Sequence, residues 1–158
     1  MKKFFYFSII ALCLFGCKPV EPKDEMPIFT LKYYNANGQL VDLKNGQTIQ
    51  IITFDEGLPT KLLFKGMIYS EESFNLEVTA NREVVEGVFD EFCAFPTCIP
   101  SNYEAVQNFS FSVNQAETVF YAHFDAINSG DYKIVYDFHE KEKPNAKISV
   151  TVIYKYYL

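Results

Sequence analysis

Few side chains in this sequence could do chemistry: four cysteines at 13, 17, 93 and 98, two histidines at 123 and 139, and acids that come in pairs. Cys93 and Cys98 enclose Ala94-Phe95-Pro96-Thr97, a spacing that suits a closed loop better than the Cys-x-x-Cys of a reversible redox pair. A zinc site needs about four ligands at suitable intervals, which one cysteine pair and two scattered histidines do not supply. Nucleophilic catalysis needs a base beside the nucleophile. His123 lies in an alternating stretch with Val119 and Tyr121 on its own side, and reads as a half-buried sheet residue. His139 closes an apolar run ahead of Glu140-Lys141-Glu142-Lys143 and reads as a solvated one. No Gly-x-Ser-x-Gly elbow, glycine-rich phosphate loop or His-Glu-x-x-His accompanies them. Asp55-Glu56, Glu71-Glu72 and Asp90-Glu91 lack the Asp/Asn ladder of a calcium-binding loop. The expectation is a protein that is not an enzyme and needs no metal or other cofactor.

Cys17 has the clearest chemical context. Lys2 and Lys3 precede an apolar run from Phe4 to Phe15, interrupted only by Ser8, and Gly16 follows. A charged start, a short apolar core and a small residue before the cut describe a secretory signal. The run is too short to span a bilayer, which takes ~20 apolar residues. Leu14-Phe15-Gly16-Cys17 resembles the lipobox of bacterial, Gram-negative outer-membrane lipoproteins. The resemblance implies cleavage before Cys17, leaving it as an N-terminus acylated by palmitate-type chains. Lys18, where Asp would signal retention at the inner membrane, implies by the same resemblance an outer-membrane address.

Three prolines and five charges fill Lys18 to Pro27, so this stretch cannot pack and serves as a tether. Within it, Lys23-Asp24-Glu25 resembles the lysine-plus-acids signal with which some Gram-negative anaerobes display lipoproteins on the cell surface. The periplasmic and surface faces both remain open. The chain thus divides into a signal at 1–16, an acylated tether at 17–27 and one domain at 28–158.

Removing the signal takes two lysines and no acid, moving the formal charge from −6 to −8. An acidic surface repels phosphate backbones, so nucleic acid is excluded as a partner, and the acyl chains must supply the membrane hold. Export to an oxidising compartment leaves Cys93 and Cys98 as a natural disulfide.

From Ile28 onward apolar residues recur with period two, as in sheets. Strands are expected over Phe29–Tyr34, Gln39–Leu43, Gln47–Phe54, Lys61–Tyr69, Ser73–Ala80, Asn108–Val113, Thr118–Phe124, Tyr132–His139 and Ile148–Tyr157. Asn45-Gly46 signals a hairpin, and Asn81–Tyr103 is irregular. Strands at this spacing predict an all-β sandwich or barrel. Asn128-Ser129-Gly130-Asp131-Tyr132-Lys133-Ile134 resembles the corner into strand F of the immunoglobulin fold, with Ile134 in place of its second cysteine. That resemblance implies an immunoglobulin-like antiparallel β-sandwich of seven to nine strands, with the Tyr132 ring in the core and its hydroxyl returned to nearby backbone.

Irregular loops on rigid scaffolds often carry binding. The segment around the bridge offers Asp90, Glu91, Phe92, Phe95 and Ile99 as partner-binding residues, and Pro100 follows them. The bridge could equally pin a sheet edge. Tyr33, Tyr34, Tyr154, Tyr156 and Tyr157 could instead form a platform for sugar rings. The expected role is a membrane-anchored binding or accessory module for an envelope protein partner, with glycan binding as the alternative.

Overall fold

A computed structural model of the chain describes residues 26–52 and 62–157. The signal, Cys17, nearly all of the tether and the Asp55-to-Pro59 turn lie outside the described residues. The described residues form eleven strands: β1 (Phe29–Tyr34), β2 (Leu40–Asp42), β3 (Gln47–Ile52), β4 (Leu62–Ser70), β5 (Phe74–Arg82), β6 (Val88–Ala94), β7 (Thr97–Pro100), β8 (Val106–Val113), β9 (Ala116–Ala126), β10 (Gly130–Glu140) and β11 (Lys143–Tyr156). They build an all-β sandwich of two sheets. One sheet has the order β2-β1-β4-β9-β6-β7 and the other β3-β11-β10-β5-β8.

Alternation drives this layering. On β5, Leu76, Val78 and Ala80 face inward, with Phe74 partly buried on the same side. The opposing faces of β9 and β10 contribute Phe120, Phe124, Ile134, Tyr136 and Phe138. Phe92, 1% exposed, sits at the hub, with its ring centroid 5.7–5.9 Å from those of Phe109, Phe111, Phe120, Tyr136 and Phe138. Each fully buried side chain of this kind stabilises by about 2–3 kcal/mol. Gly66 on β4 is required by this packing: a Cβ there would collide with the Lys32 carbonyl oxygen and the Phe120 ring.

The Tyr132 hydroxyl donates to the Asn128 carbonyl at 2.8 Å, and its ring lies 5.1 Å from that of Phe124. The tyrosine corner is therefore present.

Several details differ from the sequence reading. The strands number eleven among the described residues, more than the seven to nine expected. The two not expected, β6 and β7, fall in the supposedly irregular Asn81–Tyr103 region, whose prolines and cysteines hide a short hairpin. The Asn45-Gly46 turn does not close a hairpin, because β2 and β3 enter different sheets. Instead β3 pairs parallel to β11, in an otherwise antiparallel fold, and the turn docks there through the Ser149 N–H on Asn45 Oδ1 at 2.8 Å. His139 is buried rather than solvated, because β10 continues through it to Glu140 and neighbouring strands cover it. Its Nε2 lies 3.6 Å from Glu77 Oε1.

Candidate functional site

β6 and β7 form a hairpin at the edge of the six-stranded sheet, with Cys93 directly opposite Cys98. The two cysteines are joined by a disulfide. Phe95 projects from the tip, 69% exposed, while its N–H donates to the Val119 carbonyl at 2.9 Å. The Phe95–Pro96 peptide is cis.

Of the expected binding residues, the hairpin presents only some to solvent. Phe95 is open and Glu91 is half-buried on the outer face. Ile99 is partly buried against the core. Phe92 belongs to the core hub and cannot touch a partner, and Asp90 points inward to an ion pair with Arg82. The alternation of β6 explains this: Val88, Asp90 and Phe92 face in, and Phe89 and Glu91 face out.

Residues not anticipated complete the surface. Phe89 (49% exposed) and Tyr103 (59%) meet edge to face, with centroids 6.3 Å apart. With Glu91, Pro100, His123 and Asp125 they line a shallow pocket of about 220 Å³. From Phe89 to Phe95 the strip runs roughly 20 Å along β6, at ~3.3 Å per residue.

Tyr103 has φ 62°, a left-handed conformation rare for a bulky residue and held only where its surroundings impose it. Here its N–H donates to Ser101 Oγ at 3.1 Å, and the Asn102 N–H donates to Gln107 Oε1 at 2.9 Å. Gln107 in turn donates to the Pro100 carbonyl at 3.0 Å, and Arg82 Nη1 to the Glu104 carbonyl at 3.1 Å. The interior guanidinium thus fixes the loop that displays an exposed aromatic ring. No local sequence signal marks Tyr103, whose conformation depends on contacts from distant strands.

The tyrosine platform is not assembled as expected. Tyr154 and Tyr156 are buried, and the hydroxyl of Tyr154 lies 3.2 Å from that of Tyr136 inside the core. Tyr157 donates to Asp131 at 2.8 Å. Tyr34 is on the outer face of the six-stranded sheet, where Lys65 Nζ lies 4.9 Å from its ring and 5.8 Å from that of Tyr121.

No family model and no curated protein matches the chain. Among solved structures, the N-terminal domain of PorA aligns with a TM-score of 0.56 and 17% identity, over 80% of this chain and 96% of that one. The chain is similar to that domain in fold. A family 123 glycoside hydrolase from Clostridium perfringens, described for glycolipid glycan hydrolysis, aligns with a TM-score of 0.51 and 7% identity. That match covers 82% of this chain but 27% of the hydrolase. At such identities the likeness is one of architecture alone.

Proposed function

We propose that this protein is a lipid-anchored, non-catalytic module of the outer membrane that binds an envelope protein partner through the strip along β6. The lipobox-like Leu14-Phe15-Gly16-Cys17 supports the anchor. One observation carries the binding surface: Phe89, Tyr103 and Phe95 stay exposed around a bridged hairpin, and Tyr103 is held at positive φ to do so. Exposed, rigidly supported aromatics are the residues that dominate protein interfaces. Glycan binding has less support, since two of its five tyrosines are interior and the Lys65 ammonium occupies the faces of Tyr34 and Tyr121 where a sugar would stack.

The test is photo-crosslinking in intact cells, with a photoreactive residue placed at Phe95 or Tyr103 and, as control, at Tyr34. A discrete protein adduct from the first two positions, absent from the control and lost on Phe89→Ala, is expected. Equal adducts from all three positions, or none from the strip, would remove the proposed surface. The anchor is tested separately with Cys17→Ala, which should abolish fatty-acid labelling and release the protein from washed membranes, because the acyl chains supply ~0.8 kcal/mol per buried methylene. Retention of the mutant at wild-type abundance would show that the lipid is not the anchor.

A further inference from the structure

We propose that reduction of the Cys93–Cys98 bridge creates a zinc site on the outer face of the six-stranded sheet, with Cys93, Cys98, His123 and Glu91 as ligands. The histidines look scattered in the sequence, but the fold pairs His123 on β9 with Glu91 on β6, while Cys93 stands opposite Cys98 on β7. One donor atom from each of Glu91, Cys93 and His123 lies within 4.8 Å of the others. Tetrahedral zinc, with bonds of about 2.0–2.3 Å, holds its ligand atoms roughly 3.3–3.8 Å apart. Closing that difference among these three takes side-chain rotation of about an ångström on a backbone already fixed by the ladder, and Cys98, outside that group, must swing in from its place opposite Cys93 once the bridge opens. The four residues between the cysteines fall within the spacing common to zinc-binding cysteine pairs.

The imidazole is uncommitted. His123 Nδ1 is the one buried side-chain nitrogen or oxygen among the described residues with no hydrogen-bond partner. Its Nε2 stands 3.9 Å from Glu91 Oε1, beyond hydrogen-bond distance.

The electron count closes with a dithiol reductant. It gives two electrons and two protons to the bridge, the S–S bond breaks, and the reductant closes to its own disulfide. Zinc binding then releases both thiol protons to solvent. Two thiolates and one carboxylate against the divalent ion leave a site of net charge −1 with neutral imidazole. Bridge and metal exclude each other, since the oxidised sulfurs have no thiolate to offer.

The mature lipidated protein, whose Cys17 thiol is capped by its acyl anchor, is reduced in detergent, freed of reductant by anaerobic gel filtration and titrated with Zn²⁺ and with Co²⁺ as a spectroscopic probe. One metal per reduced chain is expected, with a thiolate-to-cobalt charge-transfer band and tetrahedral d–d bands. The oxidised chain should show neither. His123→Ala should weaken binding about tenfold or more while keeping the charge-transfer band. Zinc-loaded protein should resist reoxidation. Equal metal uptake by oxidised and reduced protein would overturn the proposal, as would an octahedral cobalt spectrum. So would unchanged affinity in His123→Ala, which is the result if the reduced chain unfolds and its cysteines bind alone.

Discussion

Arg82 and Asp90 form a two-pronged ion pair that joins the two sheets from inside. Arg82 Nε and Nη2 donate to the carboxylate oxygens at 2.7–3.1 Å, and both side chains are almost wholly withdrawn from water. Such a pair adds little net stability, but breaking one side strands a buried charge.

Asp90→Asn should therefore destabilise the domain by about 3–5 kcal/mol in urea unfolding. The double variant Arg82→Met/Asp90→Leu should recover most of that loss, because both charges are removed together. If the single variant costs no more than the double, the buried-charge argument fails.

The corner at Tyr132 separates a hydroxyl effect from a ring effect. Tyr132→Phe loses the bond to the Asn128 carbonyl and should cost about 1 kcal/mol. Tyr132→Ala also empties the space beside Phe124 and should cost ~3 kcal/mol or more. Thermal and urea midpoints check both, and unchanged midpoints would deny the corner a structural role.

Gly66→Ala places a methyl group against the Lys32 carbonyl and the Phe120 ring. A loss of about 2–3 kcal/mol is expected from overpacking. Adding Phe120→Leu should recover only part of it, since the backbone oxygen cannot move aside as a ring can. Full recovery would show that the ring alone sets the constraint.

Alkaline pH should weaken the fold. Burial raises the pKa of both Tyr136 and Tyr154 above the ordinary value of 10.0. The unfolded chain then ionises first, so their contribution is complete below pH 10 and falls as pH rises further. Each phenol adds a slope of up to ~1.4 kcal/mol per pH unit. Unfolding free energies from pH 9 upward should show this decline, and Tyr136→Phe/Tyr154→Phe should flatten it. An equal decline in the double variant would assign the effect to other groups.

The sandwich was legible in sequence where alternation was clean, as from Phe74 to Ala80, because period two directly records which face is buried. Tyr132 was legible for a similar reason, since its bond partner is four residues away. β6 was not, because Asp90 occupies an inward position and disguises the alternation of Val88 and Phe92, and its compensating cation comes from another strand. Asn45-Gly46 did mark a turn, with Gly46 at φ 76°. Turn chemistry is local, however, and does not say which strands the turn will unite. The same limit hid the Phe89–Tyr103 pair and the approach of His123 to Glu91, both products of tertiary placement.

The parallel pairing of β3 with β11 sets the order in which the molecule can form. Ser149 and Asn45 are 104 residues apart in sequence yet bonded. The second sheet therefore cannot close until Lys143–Tyr156 has been made and released from the machinery that handles the nascent chain. Distant pairings of this kind slow folding. A ribosome-stalled fragment lacking β11 should therefore remain open and protease-sensitive.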